Sequence, residues 1–315
     1  MGTLEPIQRL CSRQIKERAS MWAACQWKDY ELIDCEGGER LERWGDYILI
    51  RPDPQVIWHG NRKNPLWREA HGVYKRRGGG GSWVVDRMPE SWCIAYGDYR
   101  FRLRPMGFKH TGLFPEQAVN WDWADGILRR RIANSAEGEE RPRVLNLFAY
   151  TGGATVACAK AGAALCHVDA SRGMTNAARE NMQLSGLGEA PCRYIVDDCR
   201  KFVERELRRG VRYDGIIMDP PSYGRGPGGE VWKLEECAAE LVSLTVSVLS
   251  EKPSFFLINS YTTGLSPATM AYILQTALPE SLRRTAHVEF GEIGLPVTDS
   301  GLVLPSGASV RCEFK

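Results

Sequence analysis

Short apolar runs alternate with stretches of helical periodicity from residue 144 onward. The apolar runs are VLNLFAY, LCHVDA, YIVDD, YDGIIMDPP and SFFLINSY. The stretches between them, such as RGMTNAARENMQLSG and LEECAAELVSLTVSVLS, carry apolar residues at helical spacing. Because alternating strands and helices build a parallel sheet covered on both faces, the sequence predicts a doubly wound α/β domain over residues 143–315.

The first 108 residues follow a different pattern, with short runs of strand alternation separated by glycines. YRFRLR, at residues 99–104, alternates as a half-exposed strand does, whereas residues 6–27 predict a helix. The basic, glycine-rich stretch 61–81 predicts a loop or an irregular hairpin. We therefore expect a small, mainly β, tryptophan-rich N-terminal domain over 1–108, followed by a helical connector over 109–142.

Composition and charge narrow the class of protein. The chain has 315 residues, 43% hydrophobic and 25% charged, and no apolar run approaches the length of a membrane span. Its start lacks an apolar signal core, so we expect a cytoplasmic protein. The ten cysteines form no CxxC pair and the five histidines no ligand spacing, which favours buried free thiols over a metal site.

Charge and tryptophan are unevenly distributed along the chain. Residues 1–132 hold 22 Lys or Arg against 17 Asp or Glu, a net charge of 22 − 17 = +5, whereas residues 133–315 hold 19 against 22, a net charge of −3. Nine of the ten tryptophans lie in the first 123 residues. Two segments of different chemistry are therefore expected, and we expect Trp44 and Trp58, beside strand-pattern residues, to lie in the core.

A glycine turn follows the first strand of the α/β part, in the sequence YTGGAT. In doubly wound sheets such a turn lets the backbone approach a ligand, and an acid ending the next strand accepts ribose hydroxyls. Asp169 lies 18 residues after Thr151, which suits that role. The turn lacks the GxGxxG spacing that a pyrophosphate requires. Taken alone, it is also compatible with an ordinary tight turn.

Two later strand ends carry acids as well. Asp197 and Asp198 end the third strand, where a carboxylate can accept a hydrogen bond from an adenine amino group. Asp219 ends the fourth strand and precedes Pro220 and Pro221, which remove two backbone donors and stiffen the chain. Acids at three successive strand ends indicate a nucleoside-binding crevice more strongly than any one of them does.

These segments carry a resemblance to a known family. The chain from about residue 105 onward resembles class I S-adenosylmethionine-dependent methyltransferases, with a Rossmann-like sheet, and among them bacterial 23S ribosomal RNA methyltransferases of the large-subunit I/K type. The matching segments are HTGLFPEQ (110–117), NLFAYTGG (146–153), HVDAS (167–171), ARENMQLSGL (178–187), DDCRKF (197–202) and MDPPSYGRG (218–226).

The resemblance implies S-adenosylmethionine as the cofactor and assigns roles to individual residues. It implies that the cofactor is held by Thr111, Phe114, Gln117, Phe148, Ala149, Tyr150, Thr151, Gly152, Gly153, Asp169, Ser171, Asn181, Asp198, Cys199 and Asp219. It places Asp219, Pro220 and Tyr223 at the reacting centre. For Asn181, a helix-surface or capping role is an equal alternative. Methyl transfer is then a direct displacement for which no metal is expected.

The sequence departs from the family pattern at two places. Relatives that methylate cytosine C5 carry a nucleophilic cysteine after the fifth strand, where this chain has Ile258-Asn259-Ser260-Tyr261, so C5 chemistry is disfavoured. Enzymes that methylate amino groups place an aromatic residue directly after Pro-Pro, but here Ser222 comes first and Tyr223 second. An exocyclic amine or a ring nitrogen therefore remains possible, and the target atom stays open.

An RNA substrate fits the basic, aromatic N-terminal part, because cations attract phosphates and aromatic rings stack on unpaired bases. The candidate contacts are Lys75, Arg76, Arg77, Arg225 and Trp232, with Arg100, Arg102 and Arg104 as an extension. The stretch 224–233 is either a lid over the acceptor or a plain connector. A methyltransferase for a small molecule or a protein, and a non-catalytic cofactor-binding module, are the alternatives. The oligomeric state stays open.

Overall fold

The computed structural model describes residues 20–77, 80–85, 87–136, 138–225 and 231–315. Seventeen strands are present in this part of the chain. They are β1 (Ser20–Ala23), β2 (Tyr30–Glu36), β3 (Glu39–Trp44), β4 (Tyr47–Pro52), β5 (Gly72–Arg77), β6 (Gly80–Val85), β7 (Trp92–Tyr96), β8 (Tyr99–Leu103), β9 (Arg143–Leu147), β10 (Ala164–Asp169), β11 (Cys192–Val196), β12 (Gly215–Met218), β13 (Tyr223–Arg225), β14 (Val231–Lys233), β15 (Phe255–Ser260), β16 (Ala286–Pro296) and β17 (Val303–Phe314).

Seven α-helices accompany these strands in the described residues. They are α1 (Ala118–Ala133), α2 (Gly153–Lys160), α3 (Arg172–Leu184), α4 (Cys199–Arg208), α5 (Leu234–Val246), α6 (Pro267–Ala277) and α7 (Glu280–Arg283). Short 3₁₀ turns cover Pro65–Arg68 and Pro115–Gln117.

Eight strands form one large sheet in the order β11-β10-β9-β12-β15-β17-β16-β1. Every neighbouring pair is parallel except the two pairs that β17 forms with β15 and β16. From β9 the chain first moves outward through β10 to β11, and then returns to the other side of β9 as β12. The predicted doubly wound, Rossmann-like sheet is confirmed, and its direction of winding reverses between β9 and β12.

Strand residues alternate between two cores, one on each face of the large sheet. Val144 and Ile217 belong to the core beneath α1, α2 and α3, whereas Leu145 and Ile216 belong to the core beneath α4, α5 and α6. Successive side chains of a strand point to opposite faces of the sheet, and here both faces are covered by helices. Consecutive residues of these strands are therefore both apolar.

The N-terminal part is mainly β, as expected. Strands β2 to β6 form a five-stranded sheet in chain order, and β7 pairs with β8 in a hairpin. Trp44, Ile94 and Phe101 are buried in the same core as Trp121 of α1, so apolar packing joins this part to one face of the large sheet. The boundaries at 108 and 142 stay a prediction.

The structure corrects two local expectations. Residues 20–23 form a strand rather than part of a helix, because β1 pairs with β16 and Arg311 covers the Trp22 ring at 4.0 Å. Residues 6–19 lie outside the described residues. The expectation that Trp44 lies in the core is confirmed. The same expectation for Trp58 is wrong, because its side chain is 43% exposed and its indole donates to the Cys35 carbonyl at the surface.

The basic stretch and the segment after Pro221 both contain hairpins. β5 and β6 pair antiparallel on either side of residues 78–79, and β13 pairs with β14 around residues 226–230; both of these short connections lie outside the described residues. The expected lid over 224–233 therefore has only its two ends in the described structure. No described helix combines the length and the apolar character needed to cross a bilayer.

Candidate active site

The loop after β9 lies at the point where the sheet reverses its winding, the usual place for a ligand in such sheets. Phe148 and Tyr150 adopt left-handed backbone with φ of 55° and 50°, two of the three non-glycine residues in the described chain that do so. Gly152, with φ of 83°, precedes α2 as its N-cap. Strained non-glycine backbone is retained where the surrounding structure enforces it, and such residues cluster at ligand sites.

Asp169 holds this loop from the end of β10. Its carboxylate accepts the backbone N–H of Tyr150 at 2.9 Å and that of Ser171 at 2.8 Å. Burial raises the pKa of the carboxyl, while these two N–H groups oppose the rise. An ionised carboxylate offers about four acceptor positions, so Asp169 can still accept two ribose hydroxyls.

A cavity at this point opens between the β9 loop, β12 and the start of α1. The residues that line it are Leu113, Phe114, Gln117, Asn120, Trp121, Asn146, Phe148, Ala149, Tyr150, Thr151, Gly153, Ala154, Ile217, Asp219, Leu257 and Asn259. Apolar walls, a few amides and one carboxyl surround the space, and Asp169 lies at its edge beside Tyr150. This lining can hold a ligand that has both apolar and polar parts.

A buried network of amides forms one wall of the cavity. Gln117 Oε1 accepts from Asn120 Nδ2 at 2.9 Å and from Asn259 Nδ2 at 3.1 Å, and Gln117 Nε2 donates to the Tyr261 hydroxyl at 2.9 Å. Arg311 Nε donates to Asn120 Oδ1 at 2.9 Å. Because each amide is fixed by another side chain, the wall presents its polar atoms in one arrangement.

Two carboxyl groups at or beside this cavity have raised pKa values. Asp219 is half-buried, and burial together with the nearby charge of Glu116 raises its pKa to about 7. Glu116 is 3% exposed, and burial raises the pKa of its carboxyl as well. Its Oε2 atom has no hydrogen-bond partner among the described residues. Such perturbed, buried acids are typical of functional sites.

A second cavity adjoins the first. Leu113 and Phe114 line both, so these two side chains form the wall between them. The other residues that line the second cavity are Arg40, Arg51, Pro52, Asp53, Pro54, Gln55, Lys109, His110, Pro115, Glu116, Pro221, Tyr261 and Ser306. It therefore extends from the N-terminal sheet to the Pro-Pro segment beside Asp219.

Three predicted site residues do not line this cavity, and two of them bind the backbone of the loop after β9. Asn181 accepts the Arg102 N–H and donates to the Thr151 carbonyl, each at 2.9 Å. The Cys199 thiol is buried and accepts the Phe148 N–H at 3.2 Å, and burial raises its pKa far above the usual range. Thr111 is buried without a partner for its hydroxyl in the described part of the chain.

Of the remaining predicted residues, two lie at helix N-termini, one is buried and one is exposed. Ser171 and Asp198 are the N-caps of α3 and α4. Pro220 lines a small apolar cavity beneath α5 and α6, so Pro221 is the proline that faces the second cavity. Tyr223 is 53% exposed in β13 and lines neither of the two adjoining cavities.

The predicted substrate contacts are mostly accessible. Lys75, Arg76 and Arg77 are exposed at the end of β5. The Trp232 indole donates to the Pro221 carbonyl at 2.7 Å, which ties β14 to the Pro-Pro segment. The structure describes Arg225 only as the last backbone position of β13.

The expected extension by the three arginines of residues 99–104 is corrected in part. Arg102 and Arg104 both form ion pairs with Glu180 of α3, at 2.9 and 3.0 Å. Arg100 stays exposed. The alternation placed the three side chains on one face, but it gave no sign that α3 packs beside that face.

Sequence reasoning missed the amides and one acid of the site, namely Glu116, Asn120, Asn146 and Asn259. Glu116 lies within HTGLFPEQ, a segment that resembles the family, and this position was the one indication in the sequence that it belongs to the site. Asn259 lies near the end of β15, in the segment where relatives that methylate cytosine carry their cysteine. Both enter the site through contacts between distant segments, which spacing along the chain does not reveal.

A family model described as S-adenosylmethionine-dependent methyltransferase matches residues 68–248. Ribosomal RNA large subunit methyltransferase K/L of Shewanella frigidimarina is 31% identical over 179 residues, 56% of this chain and 23% of that protein. Ribosomal RNA large subunit methyltransferase I of Aeromonas hydrophila is 33% identical over 114 residues, 36% of this chain and 26% of that protein. The chain thus spans about a quarter of the length of these relatives.

One solved structure resembles the whole molecule. The crystal structure of the SAM-dependent methyltransferase from Agrobacterium tumefaciens matches with a TM-score of 0.84 and 32% identity, covering 94% of each chain. The similarity therefore includes the N-terminal β part as well as the large sheet.

Proposed function

This chain belongs to the S-adenosylmethionine-dependent methyltransferases, and from that membership we propose that it methylates a base in RNA, with ribosomal RNA as the substrate class. It is an enzyme whose cofactor is S-adenosylmethionine. The single observation that supports an additional, bulky acceptor is the pair of cavities divided by Leu113 and Phe114. The names of the relatives support RNA as that acceptor. The cytoplasmic location stays a prediction.

We assign the first cavity to the cofactor. The loop from Phe148 to Gly153 surrounds its methionyl end, and Asp169 accepts the ribose hydroxyls. Asp198 caps α4 through Oδ1, so its Oδ2 is the atom available to the adenine amino group. Asn181 and Cys199 contribute indirectly, by fixing the backbone of Thr151 and Phe148.

The cofactor supplies a methyl group on a cationic sulfur, which an acceptor atom takes in one displacement. The protein then has to align the acceptor, exclude water and stabilise developing charge. Asp219 lies where the two cavities approach each other and is the group we place beside the acceptor. No cysteine lines either cavity within the described residues, which supports transfer without a covalent enzyme adduct.

The test is transfer of labelled methyl groups from the cofactor to separated RNA, protein and metabolite fractions. We expect nuclease-sensitive label in RNA. Asp219→Ala should lower the transfer rate at saturating cofactor by about tenfold or more, while cofactor affinity stays within about twofold, because alignment acts mainly in the transition state. Label in protein or metabolites instead of RNA would contradict the RNA assignment. Near wild-type turnover in the variant would remove Asp219 from the reacting centre.

A further inference from the structure

Glu116 lines the second cavity and has one carboxyl oxygen without a hydrogen-bond partner among the described residues. The side chain is 3% exposed, and Oε2 has no partner among the residues that the structure describes. An unpaired polar atom in a buried position is destabilising, and few such atoms occur in native structures. A ligand that donates a hydrogen bond to Oε2 would remove this cost.

Three cations line the cavity that contains Glu116, and among the described residues only two of them have an acidic partner. Arg51 forms two hydrogen bonds with Glu42, at 2.6 and 2.7 Å, and Arg40 is paired with Asp53. Lys109 also lines the cavity, but its amine donates only to the Pro52 carbonyl at 3.3 Å and forms no ion pair within the described part of the chain. A phosphate near Lys109 would therefore meet a cation that is not already neutralised.

Flat side chains line the same cavity. The rings of Phe114 and Tyr261 lie 5.7 Å apart, and those of His110 and Phe114 lie 5.0 Å apart. Pro221 adds a rigid surface at the mouth. Aromatic rings and other flat groups favour a planar heterocycle, which can stack on them without a fixed sequence requirement.

At three places along the chain, one residue lines the cofactor cavity and a residue one or two positions away lines the second cavity. Gln117 lines the cofactor cavity and Glu116 the second one. The same division separates Asp219 from Pro221, and Asn259 from Tyr261. A planar group bound against Glu116 would therefore reach the boundary at which the methyl group is transferred.

We propose that the second cavity is the acceptor subsite, which takes one nucleotide displaced from an RNA strand, stacks its base against Phe114 and Tyr261, and recognises the N–H edge of that base through Glu116 Oε2. The phosphate of the nucleotide lies at Lys109. This proposal rests on the proposed function and assigns its substrate contacts. Glu116 is a specificity-determining residue in it, because the carboxyl touches the base.

The test uses the full chain saturated with the demethylated product of the cofactor, and the four ribonucleoside 5′-monophosphates as probes. Saturation-transfer NMR and competition titrations measure the affinity of each nucleotide. We expect at least one nucleotide to bind, and Glu116→Ala to weaken it by about tenfold or more, since a hydrogen bond to a charged group is removed. Glu116→Gln, which keeps one acceptor oxygen, should weaken it less, and the exposed Glu69→Gln should have no effect.

Two further measurements separate recognition from a structural role. If Glu116 serves recognition, neither variant lowers the melting temperature and neither changes cofactor affinity by more than about twofold, because an unpartnered buried group has been removed. A fall in melting temperature that accompanies the loss of nucleotide binding would overturn the proposal. So would unchanged nucleotide affinity in Glu116→Ala, or no nucleotide binding by the wild-type chain.

The nucleotide titration is independent of methyl transfer. Failure of the proposed function would appear as labelled protein or metabolite in place of RNA. Failure of the Glu116 assignment would appear as unchanged nucleotide affinity in Glu116→Ala. That result is independent of whether the variant still methylates RNA.

Discussion

Asp219 shows how far a single residue departs from its ordinary chemistry in this site. A half-buried position and the neighbouring charge of Glu116 raise the pKa of its carboxyl to about 7, above the unfolded value of about 3.9. The fold therefore favours the neutral form. The contribution of this group to stability is complete below about pH 4 and is lost as the pH rises through 7.

Asp219→Asn should consequently be more stable than the wild-type chain, and the difference should grow with pH. We expect the gain in the free energy of unfolding to be roughly 2.5 kcal/mol larger at pH 8 than at pH 5, since asparagine is neutral at both. Denaturant titrations at the two pH values measure it. Asp98→Asn, at an exposed turn, is the control and should show no such growth. An equal effect at both pH values would mean that Asp219 titrates normally.

Single residues differed in how well the sequence predicted them. Asp169, Asp198 and Asp219 could be nominated from the sequence because each lies at the end of a strand, and the carboxyl ends of parallel strands meet at one edge of the sheet. Their roles toward the cofactor stay a prediction. Cys199 was expected among the residues that hold the cofactor, and the structure shows that its thiol accepts the Phe148 N–H. Glu116 could not be predicted as part of a cavity, because the residues around it come from β3, β4, β17 and the loop after β15.

At the scale of elements, the turn from β9 into α2 depends on close packing as well as on backbone conformation. A Cβ at Gly152 would lie 2.8 Å from the Ala178 Cβ of α3, in addition to the strain of its φ of 83°. Gly186 has a similar φ of 71°, but no atom lies within 4 Å of the corresponding position. The two glycines therefore separate backbone strain from crowding.

Gly152→Ala should destabilise the chain more than Gly186→Ala. Both substitutions carry about 1–2 kcal/mol of left-handed strain, and only Gly152→Ala adds an overpacking cost of about 1–3 kcal/mol. Thermal unfolding measures the difference, and a cofactor titration should show weakened binding for Gly152→Ala alone. Equal destabilisation would indicate that α3 moves away freely.

The order of strands and helices in the large sheet followed from periodicity, which is strongest in long alternating segments. β1 was expected as part of a helix because apolar spacing in a short segment does not reveal a partner more than 260 residues away. The hairpin of β13 and β14 was hidden by glycines, which weaken any local preference.

At the scale of the whole molecule, the positive charge of the N-terminal part includes an accessible cluster at Lys75, Arg76 and Arg77. Arginines elsewhere are often neutralised, as Arg40, Arg51, Arg102 and Arg104 are. The exposed end of β5 is therefore a good candidate for binding phosphates, although the net charge of the N-terminal part is only modestly positive.

Replacement of Lys75, Arg76 and Arg77 by alanine should weaken RNA binding and reduce its dependence on salt. For single-stranded RNA the slope of log affinity against log salt should fall by about 0.7 for each phosphate that the variant no longer neutralises, or about 2 for three phosphates. Filter binding over a range of salt concentrations measures the slope. Cofactor affinity should not change.

The matched control replaces Arg208, Arg212 and Lys252, three exposed cations near the amino ends of the sheet strands and so at the edge opposite the cavities. This variant should keep the wild-type slope. A slope that falls equally in both variants would indicate diffuse attraction with no defined RNA-binding face.

The pairing of β1 with β16 has a consequence for biosynthesis. Ser20–Ala23 leaves the ribosome long before Ala286–Pro296, so its only strand partner in the described sheet is absent while about 260 residues are translated. At 5–20 residues per second this interval is on the order of ten seconds to a minute. During that time the strand that carries Trp22 lacks its partner and is open to association with other chains.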